Sequence, residues 1–276
     1  MRDRVAVTGS AGHLGRAVVA DLQAHGYRVT GIDRPEWEGR SVADLVPQLE
    51  GCSALIHLAA IPAPEGHLPE VVFANNTQAT YAALEAAGSV GITRCAIASS
   101  GSAYGTAWSP QPTRFAYVPV DEDHPMTNYD PYGLSKEVDE RTAAVMVRRF
   151  GMSVAALRFH WIATHEQLVE AAAHPTVPRD VDAELRGLWG YVDVRDAARA
   201  CRLAIEAAGR APYGLVPMNI VAADSLADRP IPELLAELAP EIEIRSELGP
   251  TNGAYAIDRA AAVIGWVPQH SWRDPS

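Results

Sequence analysis

The stretch Arg4-Val-Ala-Val-Thr8-Gly9-Ser-Ala-Gly12-His-Leu-Gly15 decides the fold of this chain. Residues 4–8 have the apolar character of a short buried strand, and three glycines follow in the spacing G-x-x-G-x-x-G. Residues 16–25 then have the periodicity of an amphipathic helix that ends at Gly26. Glycines at such a turn let the backbone approach a pyrophosphate, whose charge rests on the helix N-terminus. The stretch therefore predicts a strand, turn and helix that bind a dinucleotide.

A carboxylate stands where the adenosine end of that dinucleotide would lie. Residues 27–32 form a second predicted strand, and Asp33 follows it, 18 residues after Gly15. A carboxylate there accepts hydrogen bonds from the adenosine ribose hydroxyls and repels the 2′-phosphate of NADP. We therefore predict NAD as the cofactor. Arg34 and Arg16 leave some use of NADP open, and a plain surface turn is the alternative interpretation of Asp33.

The rest of the chain continues to alternate between strands and helices. Predicted strands cover residues 54–60, 95–99, 187–194 and 215–221, and predicted helices cover 43–49, 69–87, 132–149, 197–208, 232–238 and 259–264. Asp196 is the predicted N-cap of helix 197–208. A third strand is expected within 35–51, where only residues 40–42 offer anything extended, and no adenine-binding residue can be assigned there.

This alternation predicts an α/β fold with a doubly wound parallel sheet.

Tyr132 and Lys136 stand four residues apart in the stretch Y-G-L-S-K, within a predicted helix. Residues at this spacing share a helix face, so the ammonium can lie beside the phenol and favour its ionised form, which is a usable base. Lys136 is the only lysine among the 23 lysine and arginine residues, which indicates chemistry that arginine cannot supply. A surface lysine one turn after a core tyrosine is the alternative.

The composition argues against several functional classes. A formal net charge of -11 disfavours sequence-independent binding of nucleic acid, which needs a basic surface. The three cysteines include no C-x-x-C pair, and no second histidine stands at metal-ligand spacing from His57, so we expect a reducing compartment and no metal site. No apolar run approaches the ~20 residues of a membrane span, and no signal peptide is evident. We therefore expect a soluble, cytoplasmic protein without a membrane partner.

Several motifs resemble, in chain order, those of the extended short-chain dehydrogenases/reductases, the group of NAD-dependent sugar epimerases, dehydratases and dehydrogenases. The matching segments are T-G-S-A-G-H-L-G at 8–15, H-L-A-A at 57–60, N-T-Q-A-T at 76–80, L-E-A-A at 84–87, S-S-G-S-A-Y-G at 99–105, P-Y-G-L-S-K at 131–136, Y-V-D-V-R-D at 191–196 and the stretch 260–268. The resemblance implies a Rossmann fold, bound NAD, and a homodimer built on helices 69–87 and 132–149. It also implies a small C-terminal substrate-binding cap: residues 1–160 would form the NAD-binding domain, and residues 161–276 would mainly form the cap, with 187–208 returning to the sheet.

The resemblance also implies residue roles. Ser100, Tyr132 and Lys136 would be catalytic: Tyr132 as general base, Ser100 bonded to the substrate oxygen, and Lys136 also holding the nicotinamide ribose. Such a set suffices for alcohol oxidation or its reverse. The residues implied to contact the cofactor are Gly9, Gly12, His13, Leu14, Gly15, Asp33, Arg34, Leu58, Ala59, Ala60, Asn76, Ser99, Tyr132, Lys136 and His160. Those implied to contact the substrate are Ser100, Ser102, Trp161 and Arg186.

Two departures from the resembling family bear on the substrate. Trp161 stands where nucleotide-sugar enzymes carry an asparagine that grips the nucleoside diphosphate, and the chain is shorter than those enzymes in its C-terminal part. Both departures favour a smaller substrate without a nucleotide, as in uronate dehydrogenase and related free-sugar dehydrogenases. Arg186 stands where those enzymes bind the anionic group of their substrate. A solvated surface arginine is the alternative, since Arg179 and Arg195 are nearby in sequence.

The sequence therefore leaves three functions to compare. The first is an NAD-dependent oxidoreductase that oxidises a hydroxyl of a free sugar or sugar acid. The second is a nucleotide-sugar epimerase or dehydratase that retains tightly bound NAD. The third is a non-catalytic NAD-sensing protein, against which the intact Ser100, Tyr132 and Lys136 count.

Overall fold

The computed structural model describes residues 3–35, 37–38, 40–111, 113–173 and 185–275. Its strands are β1 Arg4–Thr8, β2 Arg28–Ile32, β3 Ala54–His57, β4 Arg94–Ser100, β5 Tyr117–Val118, β6 Ser153–Phe159, β7 Trp161–Ala163, β8 Tyr191–Asp193, β9 Leu215–Ile220 and β10 Glu243–Ile244. Its α-helices are α1 His13–Ala24, α2 Val42–Leu49, α3 Pro69–Ser89, α4 Pro131–Phe150, α5 His165–Ala172, α6 Val194–Arg210, α7 Ile231–Leu238 and α8 Asp258–Ile264. A short 3-10 helix, Gly101–Tyr104, follows β4.

A parallel sheet of six strands forms the centre, in the order β2-β1-β3-β4-β6-β9. The chain runs outward from β1 to β2 and then continues on the other side of β1, where Thr8 pairs with His57. A crevice opens at the carboxyl ends of strands where the winding direction reverses in this way. The predicted doubly wound sheet is confirmed.

Helices cover both faces of the sheet and bury its apolar side chains in two separate cores. One core joins α1, α6 and α8 to the sheet through residues such as Val18, Ala204 and Ile264. The other joins α2, α3 and α4 to the opposite face, through residues such as Leu45 and Met146. A parallel sheet covered on both faces needs strands that are apolar throughout, and every residue of β6 is buried.

A third core lies outside the sheet and holds the cap together. It contains α7 and the segments before α4 and around residues 185–189, with Tyr104, Phe115, Trp189, Leu234 and Tyr255 among its buried members. Two small parallel pairs, β5 with β10 and β7 with β8, connect these segments. The proposed division at residue 160 into an NAD-binding domain and a cap stays a prediction.

Three expectations differ from the structure. No strand lies in the described part of 35–51, where the chain runs into α2, so β2 is an edge strand. The predicted strand 187–194 shortens to β8, which pairs with β7 instead of the main sheet; the return to the sheet is made by α6 and β9. Asp193, not Asp196, caps α6, because its carboxylate accepts the Arg195 backbone N–H. Asp196 instead accepts the N–H groups of Gln269 and His270.

Two features of the described residues bear on membranes and metals. None of the helices there combines the length and the apolar character that a bilayer crossing requires. Within the same residues, no group of three or more His, Cys, Asp or Glu side chains is arranged to hold a metal ion. His57 is a buried core residue between two threonines.

Candidate active site

The glycine turn after β1 lies close to the backbone that follows β3, and its own backbone atoms also lie close to one another. A Cβ on Gly9, whose φ is 69°, would lie 2.8 Å from the Ala59 nitrogen, and a Cβ on Gly15 would lie 2.0 Å from the Gly9 carbonyl oxygen. Only glycine fits either position. Within the described residues, no side chain caps the N-terminus of α1 and no acidic residue lies in its first turn. The residues at this helix start, Gly12 to Gly15, line a cavity in the crevice. This arrangement fits the pyrophosphate of a dinucleotide.

One end of the crevice is a cavity with a volume of about 510 Å³. Asp33 lines it, and we call it the Asp33 cavity. The Asp33 Oδ2 accepts the Ala11 N–H at 2.8 Å and its Oδ1 accepts the Arg34 N–H at 2.9 Å. Each oxygen keeps a lone pair for a further donor, such as a ribose hydroxyl. Trp37, Glu38 and other residues that sequence reasoning did not assign also line this cavity: His67, Asn75 and Ala79.

A second hollow, the large cavity of about 570 Å³, continues from the first, since both share Gly9, Gly12, Leu58, Ala60 and Pro62 in their walls. The structure brings most of the predicted site residues to this wall. The predicted residues that line it are Gly9, Gly12, His13, Leu14, Gly15, Leu58, Ala60, Ser99, Ser100, Ser102, Tyr132, Lys136, His160, Trp161 and Arg186. Ala59, Asp33 and Arg34 line the Asp33 cavity.

Tyr132 and Lys136 lie on the first turns of α4, whose N-cap Asp130 accepts the Tyr132 and Gly133 N–H groups. The Lys136 Nζ lies 5.7 Å from the centroid of the Tyr132 ring, as the helical spacing predicts. It donates to the Ala98 carbonyl oxygen at 2.8 Å and lies 3.4 Å from the Asp139 Oδ2. One of its three protons is therefore left for a group in the large cavity.

Ser100 ends β4 and caps the 3-10 helix that follows. Its Oγ accepts the Ser102 N–H at 3.0 Å, and this leaves the hydroxyl proton available for an oxygen in the large cavity. The neighbouring Gly101 packs on His160, where a Cβ would lie 2.7 Å from the ring. Burial, helped by the charge of Arg158, lowers the pKa of His160 to about 3, so the ring is neutral. It packs on Tyr255 with 3.9 Å between ring centroids.

The side chains of Asn76 and Ser99, two predicted cofactor-binding residues, form hydrogen bonds to other protein groups. The side chain of Asn76, which is 0% exposed, bonds to the backbone of Ile61 and to the Ser135 Oγ, so it does not line either cavity. The Ser99 hydroxyl donates to Glu140 at 2.6 Å, and Glu140 is also held by Arg158 through two hydrogen bonds. Ser99 thus turns its side chain toward this buried ion pair while the residue also lines the large cavity, and the role of both residues in cofactor binding stays a prediction.

Arg186 reaches the wall of the large cavity from a tight turn of the cap. Leu188 and Trp189 have φ values of 46° and 55°, a left-handed conformation that costs about 1–2 kcal/mol per residue. Hydrogen bonds from Gly190 and Tyr255 to the Gly187 carbonyl oxygen hold the turn. The buried Nε of Arg186 has no hydrogen-bond partner within the described residues.

The other arginines near Arg186 in sequence do not compete with it in the described structure. Arg195 is 55% exposed and binds Asp193, while Arg179 lies outside the described residues.

Trp161 is 47% exposed at the rim of the large cavity. Trp189 lies in the cap core. Trp108 and Tyr255 line the large cavity and were not assigned from sequence.

Comparison with known proteins gives the family. Residues 5–216 match the model of the NAD dependent epimerase/dehydratase family. The chain belongs to this family. The predicted cofactor, NAD, is the cofactor of the family, and the predicted resemblance is confirmed.

Individual members of the NAD-dependent epimerase/dehydratase family include dehydrogenases and epimerases. The chain is 30% identical to L-arabinose 1-dehydrogenase (NAD(P)(+)) of Haloferax volcanii over 236 residues, which cover 80% of this chain and 89% of the relative. It is 22% identical to UDP-glucose 4-epimerase of Corynebacterium glutamicum, over 97% of this chain and 92% of the relative.

A solved member has a similar fold. The chain superposes on a short-chain dehydrogenase/reductase superfamily protein of Agrobacterium tumefaciens, solved with bound NAD, with a TM-score of 0.71 and 26% identity. The superposition covers 98% of this chain and 93% of that protein.

Proposed function

We propose that this protein is an NAD-dependent oxidoreductase that oxidises a hydroxyl of a free sugar or sugar acid. One observation carries the proposal: Ser100, Tyr132 and Lys136 share the wall of one cavity with the unpartnered guanidinium nitrogen of Arg186. A base, a hydroxyl donor and a cation around one hollow suit a hydroxylated, anionic small molecule. The relative of 30% identity, which acts on L-arabinose, supports a free sugar.

NAD would lie along the joined cavities, with its pyrophosphate at the turn Gly9, Gly12 and Gly15 and its adenosine ribose at Asp33. When bound, it supplies the acceptor for the hydride. The open N–H groups of α1 and the free lone pairs of Asp33 support this fit. Lys136 has one proton left for the nicotinamide ribose.

The residues of the chain supply the proton chemistry. The phenolate form of Tyr132 takes the proton of the substrate hydroxyl, and the Lys136 ammonium beside it stabilises that form. Ser100 donates its hydroxyl proton to the same substrate oxygen and so orients it. The neutral ring of His160 and the aromatic side chains of Trp108, Trp161 and Tyr255 would contact the sugar with their apolar faces.

A panel of substrates tests this proposal. Purified protein is mixed with NAD and with free sugars, sugar acids or nucleotide-linked sugars, and the absorbance of NADH is followed. We expect NADH to appear with one or more free sugars or sugar acids and not with the nucleotide-linked ones. No NADH with any free sugar or sugar acid would contradict the proposal.

An epimerase or dehydratase that acts on a nucleotide-linked sugar is the second candidate, supported by the similarity to UDP-glucose 4-epimerase. Such an enzyme keeps its NAD through each cycle. Protein that purifies with bound NAD, converts a nucleotide-linked sugar and releases no NADH would favour this candidate. Protein that binds NAD but converts nothing would favour a sensor.

A further inference from the structure

Lys136 has a buried acidic neighbour to which neither the motifs nor the proposed reaction gives a role. Asp139 lies one turn further along α4, with its Oδ2 3.4 Å from the Lys136 Nζ and its side chain 1% exposed. The Lys136 side chain is 4% exposed. A carboxylate so buried is retained only with a counter-charge, and Lys136 is the cation that contacts it within the described residues.

The remaining groups that face Asp139 come from three elements. Glu140 follows it on α4 and is neutralised by Arg158 of β6. Thr80 of α3 favours the ionised form of the Asp139 carboxyl group. The distance between the two groups is longer than an ordinary hydrogen bond, because the Asp139 Oδ1 has no such bond to a described residue. His57 of β3 lies behind Thr80, 3.3 Å from its hydroxyl.

Thr8, His57 and Thr80 form a hydrogen-bonded chain on this side of the carboxylate. The Thr8 Oγ1 accepts the N–H groups of Leu58 and Ala59, so its proton goes to the His57 Nδ1 at 2.7 Å. His57, whose pKa burial lowers to about 3 with help from the charge of Lys136, is then neutral and protonated at Nε2. Its Nε2 donates to the Thr80 hydroxyl at 3.3 Å, so His57 presents no positive charge that could compete with Lys136 for Asp139.

We propose that Asp139 is a positioning residue: its carboxylate fixes the Lys136 ammonium beside the large cavity and, as a counter-charge, limits how strongly that ammonium favours the ionised form of Tyr132. The effect on Tyr132 rests on the proposed function. The pairing with Lys136 does not, and it is measured without substrate.

Asp139 changes its charge in an accessible pH range. Burial raises its pKa to about 6, against the opposing effects of Lys136 and Thr80. His57 does not titrate near that pH. Asp130, the N-cap of α4, also has a pKa raised by burial, so a substitution is needed to separate the two carboxyl groups.

The single lysine makes Lys136 observable on its own. Protein grown with ¹³C-labelled lysine has one Cε resonance, which is followed from pH 5 to 8 without cofactor. We expect a titration step near pH 6 in the wild type, its loss in Asp139→Asn, and its retention in Glu237→Gln, which removes an exposed carboxylate paired with Arg229. Absence of the step in the wild type, or its persistence in Asp139→Asn, would overturn the proposal.

A kinetic readout tests the consequence for Tyr132. In Asp139→Asn, the acid limb of the pH profile of kcat/KM for oxidation should move to lower pH, because a negative charge beside the Lys136 ammonium is gone. Glu237→Gln should leave the limb in place. A uniform loss at every pH, without a shift, would overturn the tuning role. If the wild type oxidises no sugar, the proposed function fails while the NMR titration still decides the pairing.

Discussion

The carboxylate of Asp33 accepts a hydrogen bond from the backbone N–H of Ala11 at 2.8 Å. This bond ties the carboxyl end of β2 to the glycine turn that follows β1. The residue proposed to select the cofactor by its ribose therefore also fixes the loop proposed to bind the pyrophosphate. A substitution at Asp33 must keep an acceptor for Ala11 if it is to report on charge alone.

We predict that the wild type uses NAD in preference to NADP, and that Asp33→Asn lowers this preference by about tenfold, or about 1.4 kcal/mol. Asparagine keeps an oxygen acceptor for Ala11 and removes the charge that repels a 2′-phosphate. The ratio of kcat/KM for the two cofactors measures the effect. Equal or better use of NADP by the wild type would assign the selection to Arg34 or Arg16.

Replacing the proposed base should stop proton transfer and spare the fold. In Tyr132→Phe the buried ring stays and only the hydroxyl is lost, so turnover should fall by about 10²–10⁴ while the Kd for NAD changes little. Turnover and NAD binding are measured on the same preparation. Unchanged turnover would mean that the chemistry lies elsewhere.

Arg186→Ala should weaken the use of an acidic sugar and leave its neutral counterpart nearly unaffected. A guanidinium binds a carboxylate through two parallel hydrogen bonds. Loss of these hydrogen bonds in a dry site should cost about 2–4 kcal/mol of transition-state binding free energy, which is roughly a 30- to 1000-fold fall in kcat/KM.

Arg195→Ala is the matched control, because this arginine is exposed and bound to Asp193. Equal losses on both sugars in Arg186→Ala would leave Arg186 a structural role and favour an uncharged substrate.

Helices α3 and α4 should pair with their copies in a second subunit, as the family resemblance implies. Both present exposed apolar side chains, with Tyr81 47% and Val145 44% exposed. Light scattering at micromolar concentration should give twice the chain mass of 29.6 kDa, and Val145→Asp should reduce it. Val169→Asp on α5, equally open at 42% exposure, should leave the mass unchanged. A monomeric wild type would remove the dimer.

The Asp139 carboxyl should make stability fall as pH rises from about 4 to 6. Its pKa is raised to about 6 in the folded chain, whereas an unfolded aspartate titrates near ~3.9. Between these values the folded state binds more protons, so a higher pH favours unfolding. The urea midpoint of Asp139→Asn relative to that of the wild type should therefore be higher at pH 7 than at pH 5. An identical change in both proteins would refute the assignment.

The sequence was most informative where a local pattern and burial agree. The predicted strand 4–8 is observed as Arg4–Thr8, and helix 69–87 as Pro69–Ser89, because the strand is a short apolar run that ends at a glycine turn and the helix begins at a proline, which suits the first helical position. The glycine turn and the Tyr132 to Lys136 spacing are equally local, so their geometry followed from the chain itself.

The expectations that failed depend on long-range contacts or on a choice between similar residues. Asp193 and Asp196 are both good N-caps by type, and only the backbone geometry selects Asp193. Tyr255 reaches His160 through the folded cap, and no local pattern marks this contact. In 35–51, the expected strand is absent from the described residues because the chain there turns into α2.

The burial of Lys136, which is 3% exposed, also determines how the protein can be labelled. Amine-reactive dyes and surface-coupling reagents attack accessible amines, and the one lysine of this sequence is held by Ala98 and Asp139 at the wall of the large cavity. Such a reagent must therefore enter the cavity to modify the lysine side chain. A molecule that fills the cavity should protect Lys136, so the rate of lysine labelling reports on the occupancy of the site.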